Sequence, residues 1–298
     1  MKLNYLLLDV FTRRRLAGNQ LAVVTNGDGL LDNEMQAIAK EFNLSETVFL
    51  RKPKGERNSA ELRIFTPHVE LPFAGHPTVG AAVVLGLQNR TSAVRLEEGV
   101  GLITALFERI DKRTGEARFG VPTLPAQIGK APSAREIALA LGIEPDEIGW
   151  GVYKPGYYSA GNPFYIVPVA NPEVLKRARP HVGRWNVTFP EGRNSVYLFT
   201  TTPDEPDNDL AARMFSPMLG LAEDPGTGSA AAALIGLLAE HADVATGQVD
   251  LALRQGHEMG RPCRILVQFR VENDKLVHGA IGGQAVIVGE GTLDLEDL

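Results

Sequence analysis

The stretch that decides the fold is RIFTPHVELPFAGHPTVGAAVVLGL at residues 63–87, because its pattern returns 150 positions later as RMFSPMLGLAEDPGTGSAAAALIGL at residues 213–237. Eight of the 25 aligned positions are identical, where average residue usage predicts about one or two. The identical pairs are Arg63/Arg213, Phe65/Phe215, Pro67/Pro217, Leu71/Leu221, Ala81/Ala231, Ala82/Ala232, Gly86/Gly236 and Leu87/Leu237. Coincidence between two Ala-rich helices is the alternative, and we favour a true repeat because the matches extend upstream of the helices. The offset is half of the chain length of 298, so the sequence predicts two similar domains in tandem.

Each copy of the repeat contains a helix-forming run that is apolar on every face. We expect these helices to begin at Pro77 and Pro225, because proline suits the first position of a helix. A helix without a polar stripe must be enclosed by protein. Strand-like runs flank both helices, at residues 5–8, 21–24, 47–50, 62–65, 165–169, 195–200, 264–271 and 285–288. The patterns predict an α+β fold of two similar domains, each a curved sheet around one buried helix.

Two further helices are predicted outside the repeat. Asp32 precedes an i, i+3, i+4, i+7 apolar pattern and is a candidate N-cap. Ser133 and Glu136 form an S-x-x-E capping box, and Gly142 is a candidate stop signal. We interpret both helices as scaffold.

The composition excludes several classes of protein. With 30 basic and 36 acidic side chains the formal charge is −6, which argues against a nucleic-acid partner. The lone Cys263 cannot form an intramolecular disulfide and fits a reducing compartment. The N-terminal segment has only three consecutive leucines, too few for a signal peptide, and no uncharged run is apolar enough for a bilayer span. We therefore expect a cytoplasmic protein with no membrane partner.

The candidate chemistry lies at the starts of the two repeated helices. A helix N-terminus binds anions through its unpaired N–H groups and its partial positive charge. One such end lies at residues 75–78 and the other at 224–229, and glycines at 75, 226 and 228 permit close approach to the backbone. If the domains face each other, both ends point into one cleft. A small molecule that bears a carboxylate is the expected ligand.

Four side chains near these helix starts can hold or move protons, and each has a structural alternative. Glu46 could act as general base and acid if a partly apolar site raised its pKa, but spacing alone favours an ordinary edge carboxylate. His76 could polarise substrate or simply cap the helix. Asp224 before Pro225 is a good N-cap and could serve both purposes. Ser229 could donate to a substrate carboxylate or satisfy the backbone.

Competing motifs are weak. GTGSAA at residues 226–231 matches the relaxed dinucleotide fingerprint, but no hydrophobic strand of a βαβ unit precedes it, so a nucleotide-dependent oxidoreductase is not favoured. The six histidines show no metal-site spacing. QGHEMGRPCRI at residues 255–265 is a Gly-rich turn into a strand, where Arg261 could meet a carboxylate or the turn could be purely structural.

Five ordered motifs resemble the phenazine-biosynthesis PhzF-like isomerase family: AGNQLAVV, SETVFL, ELPFAGHPTVGAA, EDPGTGSAA and QGHEMGRP. The resemblance covers nearly the whole chain. It implies a diaminopimelate-epimerase-like fold, in which each domain is a barrel-like, mostly antiparallel sheet around a central helix. We expect domains at residues 1–118 and 119–283, with a C-terminal strand at about 284–298 that returns to the first domain.

The resemblance also implies a cofactor-independent isomerisation, in which a hydrogen and a double bond move within a cyclic acid such as trans-2,3-dihydro-3-hydroxyanthranilate. Glu46 of the SET motif takes the proton from an sp³ carbon and returns it to another ring carbon. The substrate-binding residues implied are Gly75, His76, Asp224, Thr227, Gly228 and Ser229. GNQ replaces the more usual GNP at Gln20, away from these residues. A homodimer is expected by the same resemblance.

Two other functions stay open from the sequence. One is a non-catalytic protein that binds small carboxylates in the same cleft. The other is an epimerase or racemase that acts on a different acid. Related epimerases use two cysteines, one at each helix start, whereas the corresponding positions here are not thiols, so a two-thiol mechanism is not favoured.

Overall fold

A computed structural model describes residues 1–190, 195–219, 221–241 and 246–295 of the chain. The chain forms two compact units, Met1–Pro122 with Gly282–Leu298 and Thr123–Ile281. Residue 220 of the second repeat copy and residues 296–298 of the expected C-terminal strand lie outside the described part. Among the described helices, none combines the length and the apolar character that a membrane span needs.

The first unit is a closed barrel with a helix inside it. Its elements are β1 (Lys2–Val10), β2 (Asn19–Val24), α1 (Asp32–Phe42), β3 (Glu46–Arg51), β4 (Ala60–Phe65), β5 (Glu70–Leu71), α2 (Gly75–Asn89), β6 (Ala93–Glu98), β7 (Gly101–Arg109), β8 (Thr114–Gly120) and the later part of β17 (Lys275–Asp294). Eight strands pair in the closed order β1, β2, β3, β4, β6, β7, β8, β17 and back to β1. The pairs β2–β3 and β4–β6 are parallel.

The second unit repeats this plan. It contains β9 (Ala126–Lys130), α3 (Ala134–Leu141), β10 (Gly156–Ser159), β11 (Pro163–Pro168), α4 (Pro172–Arg177), α5 (Val182–Thr188), β12 (Val196–Thr201), β13 (Leu210–Ser216), β14 (Leu221–Asp224), α6 (Gly228–Glu240), β15 (Gly247–Gln255), β16 (Cys263–Glu272) and the start of β17. Here β11–β12 and β13–β15 are the parallel pairs, as β2–β3 and β4–β6 are in the first unit. The strand pairing therefore confirms the α+β fold of two similar units that the sequence repeat predicts.

The buried central helices explain why small residues recur in both copies. Every residue of α2 from Gly75 to Leu87 is buried, and α6 is buried from Ala230 to Leu238. A Cβ at Gly86 would lie 2.3 Å from the Phe107 ring, and one at the repeat-related Gly236 would lie 2.9 Å from Tyr158. Because such contacts are too short, the central helix can approach the sheet this closely only with glycine at these positions.

The repeated arginines have the same structural role in both units. Arg63 pairs with Glu70 and Asp32, and its guanidinium lies over the Phe65 ring. Arg213 pairs with Glu223 at 2.7 Å and lies over the Phe215 ring. Arg213 also donates to carbonyl oxygens at the end of α4. These contacts account for the conservation of arginine between the two copies of the repeat.

Three expected helix boundaries are wrong. Helix α2 begins at Gly75, so Pro77 is its third residue, and α6 begins at Gly228, three residues after Pro225. Proline is tolerated throughout the first turn because no N–H there needs an intrahelical acceptor, so its position does not mark the first residue. Asp32 is the first residue of α1 rather than its N-cap, and its carboxylate pairs with Arg63.

The second scaffold helix forms as predicted. The Glu136 N–H donates to Ser133 Oγ, and the Ser133 N–H donates to Glu136 Oε2, which completes the capping box of α3. Gly142 follows the helix with a φ of 66°. Both the start and the stop signals are therefore confirmed for this helix.

Candidate active site

The predicted residues fall into two groups, one in each unit. Glu46, Gly75 and His76 belong to the first unit. Asp224, Thr227, Gly228 and Ser229 belong to the second unit. Within each unit the fold brings the group together, because a strand end and the start of the central helix meet at the same place.

In the first unit the contact that matters is between Glu46 and His76. Glu46 is the first residue of β3, opposite Leu21 of the parallel strand β2, and His76 is the second residue of α2. Glu46 Oε2 lies 3.4 Å from His76 Nδ1, and the two side chains are 17% and 3% exposed. A carboxylate with limited solvent access therefore lies beside an imidazole in the first turn of a buried helix.

His76 is a neutral imidazole in this environment. Burial lowers its pKa from 6.5 to about 3, and a hydrogen bond with the Gln20 backbone opposes this effect only in part. The positive end of α2 also disfavours a second positive charge at this position. The contact with Glu46 is therefore not an ion pair at neutral pH. The imidazole Nε2 is buried and makes no hydrogen bond within the described part of the chain.

Asn19 also contacts His76, although no role for Asn19 was predicted from the sequence. Its side-chain Nδ2 lies 3.4 Å from His76 Nδ1, and Asn19 is 1% exposed at the start of β2. The preceding Gly18 has a φ of 70°, and a Cβ there would lie 2.4 Å from the Val10 carbonyl oxygen. The sequence signal for Asn19 is its place in the AGNQ motif, directly after a glycine that the backbone requires.

In the second unit Asp224 lies at the end of β14, ahead of the helix start. It does not cap α6, as the sequence suggested, because the N-cap position is held by Thr227. The Thr227 hydroxyl donates to Asp224 Oδ2 instead. This contact fixes the orientation of a carboxylate that is only 4% exposed.

Gln255 holds this turn in place, and sequence reasoning missed it. Its Nε2 donates to the Asp224 carbonyl at 2.8 Å and to Thr227 Oγ1 at 3.0 Å. Its Oε1 accepts from the Thr227 N–H at 3.1 Å and from the Tyr197 hydroxyl at 2.9 Å. Gln255 opens the QGHEMGRP motif, so the motif itself was visible, but its partners lie 28 to 58 residues away in sequence.

The adjoining glycine explains why QGHEMGRP packs against the EDPGTGS turn. Gly256 has a φ of 76°, and a Cβ there would lie 2.5 Å from the Pro225 carbonyl oxygen. Burial and the charge of Asp224 raise the pKa of Tyr197 well above its usual value, so its phenol stays protonated and donates to Gln255. Buried hydrogen bonds therefore join Asp224, Thr227, Gln255 and Tyr197 at this turn.

Ser229 and Gly228 form the first turn of α6. Gly228 is buried, whereas Ser229 is half-buried between buried neighbours. The strand before this turn, β14, pairs antiparallel with β13. A dinucleotide fingerprint requires a parallel βαβ unit, so GTGSAA is not one.

Two other kinds of site receive no support from the described residues. No group of three or more His, Cys, Asp or Glu side chains in the described ranges is arranged to hold a metal ion. Cys263 is buried at the start of β16 rather than at a helix start, and its Sγ lies 3.6 Å from the Arg261 carbonyl oxygen.

Comparison with known proteins finds relatives that are similar over nearly the whole chain. Residues 8–291 match the family described as phenazine biosynthesis-like protein, PhzC-PhzF. A protein of Mesorhizobium japonicum named as an uncharacterized isomerase is 42% identical, over 97% of this chain and 98% of its own length. The trans-2,3-dihydro-3-hydroxyanthranilate isomerase of Pseudomonas chlororaphis is 32% identical, over 98% of this chain and 99% of its own length.

A solved structure extends the likeness to the backbone. The crystal structure of a Bacillus anthracis phenazine biosynthesis protein of the PhzF family has a TM-score of 0.84 and 27% identity, and the match covers 99% of this chain and 100% of that one. The family model, the relatives named as isomerases and the shared fold lead to one conclusion. The chain belongs to the PhzC/PhzF phenazine biosynthesis-like family of isomerases.

Proposed function

We propose that this protein moves a proton and a double bond within a small cyclic carboxylic acid that resembles trans-2,3-dihydro-3-hydroxyanthranilate. The observation that carries the proposal is the 3.4 Å contact between Glu46 and a buried, neutral His76 at the start of α2. Relatives at 32% identity named for isomerisation of that compound support the choice of substrate class.

The reaction needs one group that takes and returns a single proton. The Glu46 carboxylate removes a proton from an sp³ ring carbon, and the electrons of the broken C–H bond form a new ring double bond. The existing double bond shifts, and its far carbon takes the proton back from the Glu46 carboxylic acid. Substrate and product have the same atoms and the same oxidation level, so the step consumes no other reactant. The resulting enol then tautomerises to a ketone.

His76 assists because it is neutral. An imidazolium beside Glu46 would stabilise the carboxylate and weaken it as a base, whereas a neutral imidazole leaves the basicity of Glu46 intact. The neutral ring has one donor nitrogen and one acceptor nitrogen, and Nδ1 is the one that lies beside Glu46 and Asn19. We assign substrate binding to the backbone at Gly75 as well.

In the second unit we assign substrate binding to Asp224, Thr227, Gly228 and Ser229. Helix α6 is long enough for its N-terminus to favour an anion, so Ser229 and the Gly228 N–H suit a substrate carboxylate. Asp224, held by Thr227, suits an amino or hydroxyl group of the substrate. Gln255 is a positioning residue, since its contacts are with the turn itself.

The test is deuterium incorporation from D₂O into turned-over trans-2,3-dihydro-3-hydroxyanthranilate. Replacing Glu46 with Gln keeps the shape of the side chain and removes the base, so turnover and exchange should fall by about 10²- to 10⁴-fold. Glu41→Gln, on an exposed position of α1, is the matched control and should leave the rate unchanged. A fully active Glu46→Gln variant contradicts the assignment of the base.

The same assay separates the alternatives. Saturable binding of cyclic acids without any isotope exchange, across a panel of hydroxy and amino acids, contradicts catalysis and favours a binding protein. Inversion at a single carbon without double-bond migration favours an epimerase. The proposed independence from cofactors is tested by dialysing the protein exhaustively against a chelator and freeing it of nucleotides. The activity should survive both treatments.

We also propose a homodimer and a cytoplasmic location, as the family resemblance and the composition imply. Light scattering on the purified full chain tests the first, with a mass of twice 32.2 kDa as the expected result. A scattering mass of one chain at assay concentration contradicts it. Fractionation of the source cells tests the second.

A further inference from the structure

A cavity lies at the C-terminal end of the central helix of the second unit. It has a volume of about 540 Å³, within the range of pockets that hold small ligands. Its walls include Leu238 and His241, at the C-terminal end of α6. The candidate substrate-binding turn lies at the N-terminus of the same 13-residue helix, about 20 Å away at 1.5 Å per residue. The cavity is therefore separate from the turn that holds Asp224.

One wall of the cavity is a rigid aromatic surface. The rings of Trp150 and Tyr153 stack with centroids 5.0 Å apart and planes 15° from parallel. The Tyr153 ring is held in turn by edge contacts with Phe199 at 6.0 Å and His241 at 5.4 Å. Ring faces held in this way attract cations and planar apolar groups without a cost in side-chain ordering.

Another part of the lining is rich in hydrogen-bond acceptors. Glu205 and Asp209 supply carboxylates, and the buried Asn208 Oδ1 accepts no hydrogen bond within the described part of the chain. The Asn208 Nδ2 donates to Glu205 Oε2 at 3.2 Å, which turns the amide oxygen away from that carboxylate. An acceptor without a donor is costly when buried, so the oxygen is suited to a ligand N–H.

The charges around the cavity are negative overall. No lysine or arginine is among its described lining residues. Arg254, which is not one of the described lining residues, pairs with Glu205 at 2.8 Å and compensates that charge. The negative charge of Asp209 adds to the partial negative charge at the C-terminal end of α6. Its Oδ2 accepts a hydrogen bond from the Ala252 N–H at 2.7 Å. The cavity therefore disfavours anions, which is the opposite of the helix start that suits a substrate carboxylate.

We propose that this cavity binds an organic ammonium ion that carries an apolar ring, with the ring or cationic head against Trp150 and Tyr153 and the charge facing Asp209 and Asn208. The ligand needs both the apolar ring and the positive charge. The aromatic wall alone suits many neutral molecules, and the acceptors alone suit any hydrogen-bond donor. The site is independent of the isomerisation and stands whether or not that proposal holds.

The probe is benzyltrimethylammonium, titrated into the full-length protein by calorimetry and by tryptophan fluorescence. The chain has two tryptophans, and Trp185 is fully buried, so a change in emission on binding is expected to come from Trp150. We expect saturable binding of the cation, at least about tenfold weaker binding of benzyl alcohol, and no saturation with benzoate. Addition of dihydrohydroxyanthranilate should not displace the probe.

Two variants locate the probe. Trp150→Leu removes one ring face and should weaken binding by about 2- to 30-fold. Asp209→Asn keeps an oxygen for the Ala252 N–H and removes the charge, so binding should weaken several-fold while the melting temperature stays close to that of the parent. Asp207→Asn makes the same charge change outside the lining residues and is the control.

Four results overturn the proposal. Two are an affinity for benzyl alcohol, or for benzoate, that equals the affinity for the cation. The third is the absence of saturable binding by both methods, and the fourth is binding that is the same in the parent, in Trp150→Leu and in Asp209→Asn. If Trp150→Leu fails to fold, Tyr153→Leu measured by calorimetry together with Asp209→Asn keeps the test decisive.

Discussion

Replacement of Glu98 by Gln should make the stability of this protein much less dependent on pH. Glu98 is the last residue of β6 and is 8% exposed. The Thr78 hydroxyl, in the first turns of α2, lies 2.8 Å from Glu98 Oε1 and 2.8 Å from the Ala74 carbonyl oxygen. Glu98 Oε2 is buried and accepts no hydrogen bond from the described residues. A carboxyl group in this position is costly to ionise.

Burial raises the pKa of Glu98 from 4.5 to about 8, and the hydrogen bond from Thr78 opposes this rise. The unfolded chain loses this proton at about pH 4.5, whereas the folded protein keeps it to about pH 8. Between these values unfolding releases a proton, so stability falls as pH rises. One pKa unit is worth about 1.36 kcal/mol, so the whole window costs on the order of 5 kcal/mol. Above it both states are ionised and the penalty is constant.

The charged groups that face Glu98 do not offset this cost. A cavity of about 310 Å³ beside it is lined by three further carboxylates and two cations, namely Glu61, Glu70, Glu97, Lys54 and Arg63. The cations are engaged, since Lys54 pairs with Glu61 and Arg63 pairs with Glu70 and Asp32. Glu98 therefore has no counter-ion of its own among the described residues.

The assay is urea unfolding of the parent and of Glu98→Gln at pH values between about 5 and 9. Gln keeps the shape and an oxygen for the Thr78 hydroxyl, but it cannot ionise. The difference in free energy of unfolding should therefore grow in favour of Gln by about 1.4 kcal/mol per pH unit in this window, whatever its constant offset. A difference that stays flat across the window would refute the reasoning.

Glu97→Gln is the matched control, because the adjacent carboxylate has the opposite behaviour. Hydrogen bonds from the Asn58 side chain and from the backbone N–H groups of Lys54 and Gly55 lower the pKa of Glu97. A lowered pKa contributes stability above the unfolded value, and this contribution is lost as pH falls. Its replacement should therefore destabilise the protein at neutral pH and do so less in acid.

Three further predictions test the helix starts and the packing. Gln255→Leu leaves the Thr227 N–H and other buried groups of the turn unpaired and should lower the free energy of unfolding by about 1–3 kcal/mol or more in urea titrations; an unchanged midpoint counts against its bridging role. The His76 imidazole should stay neutral in NMR spectra at about pH 5, and stability should decline as pH falls below 6.5 because only the unfolded chain takes up a proton there; a titration near 6.5 would contradict this. Gly86→Ala should cost about 1–3 kcal/mol by overpacking and be partly rescued by Phe107→Leu, whereas a melting temperature equal to that of the parent would show that the helix can move away.

Much of the fold was predictable from local pattern. The 150-residue repeat reappears as strands with the same offset, since β3 begins at Glu46 and β12 at Val196. The same holds for β4 and β13, which begin at Ala60 and Leu210. Apolar residues on every face of two helices required enclosure, and both helices are buried.

The candidate site was predictable only in part. Glu46 and His76 were chosen independently of each other, as a strand-end carboxylate and a helix-start imidazole, and the fold places them in contact. Asn19, Gln255 and Glu98 were not chosen, because their significance depends on partners 20 to 58 residues away. The expected N-cap role of Asp224 is wrong for a local reason, since α6 begins at Gly228, Thr227 holds the N-cap position and the Thr227 hydroxyl donates to the Asp224 carboxylate.

The sequence by itself determined the duplication, the two enclosed helices, the strands around them and the family, because each is written in short-range order or in motifs along one chain. Tertiary structure alone decided which groups are charged. The protonation of His76 and Glu98 follows from burial by segments that are distant in sequence, and burial is a sum over all of them. From composition alone, His76 and Glu98 count as an ordinary base and an ordinary acid. In the folded barrel His76 is a neutral base and Glu98 is a neutral acid at pH 7.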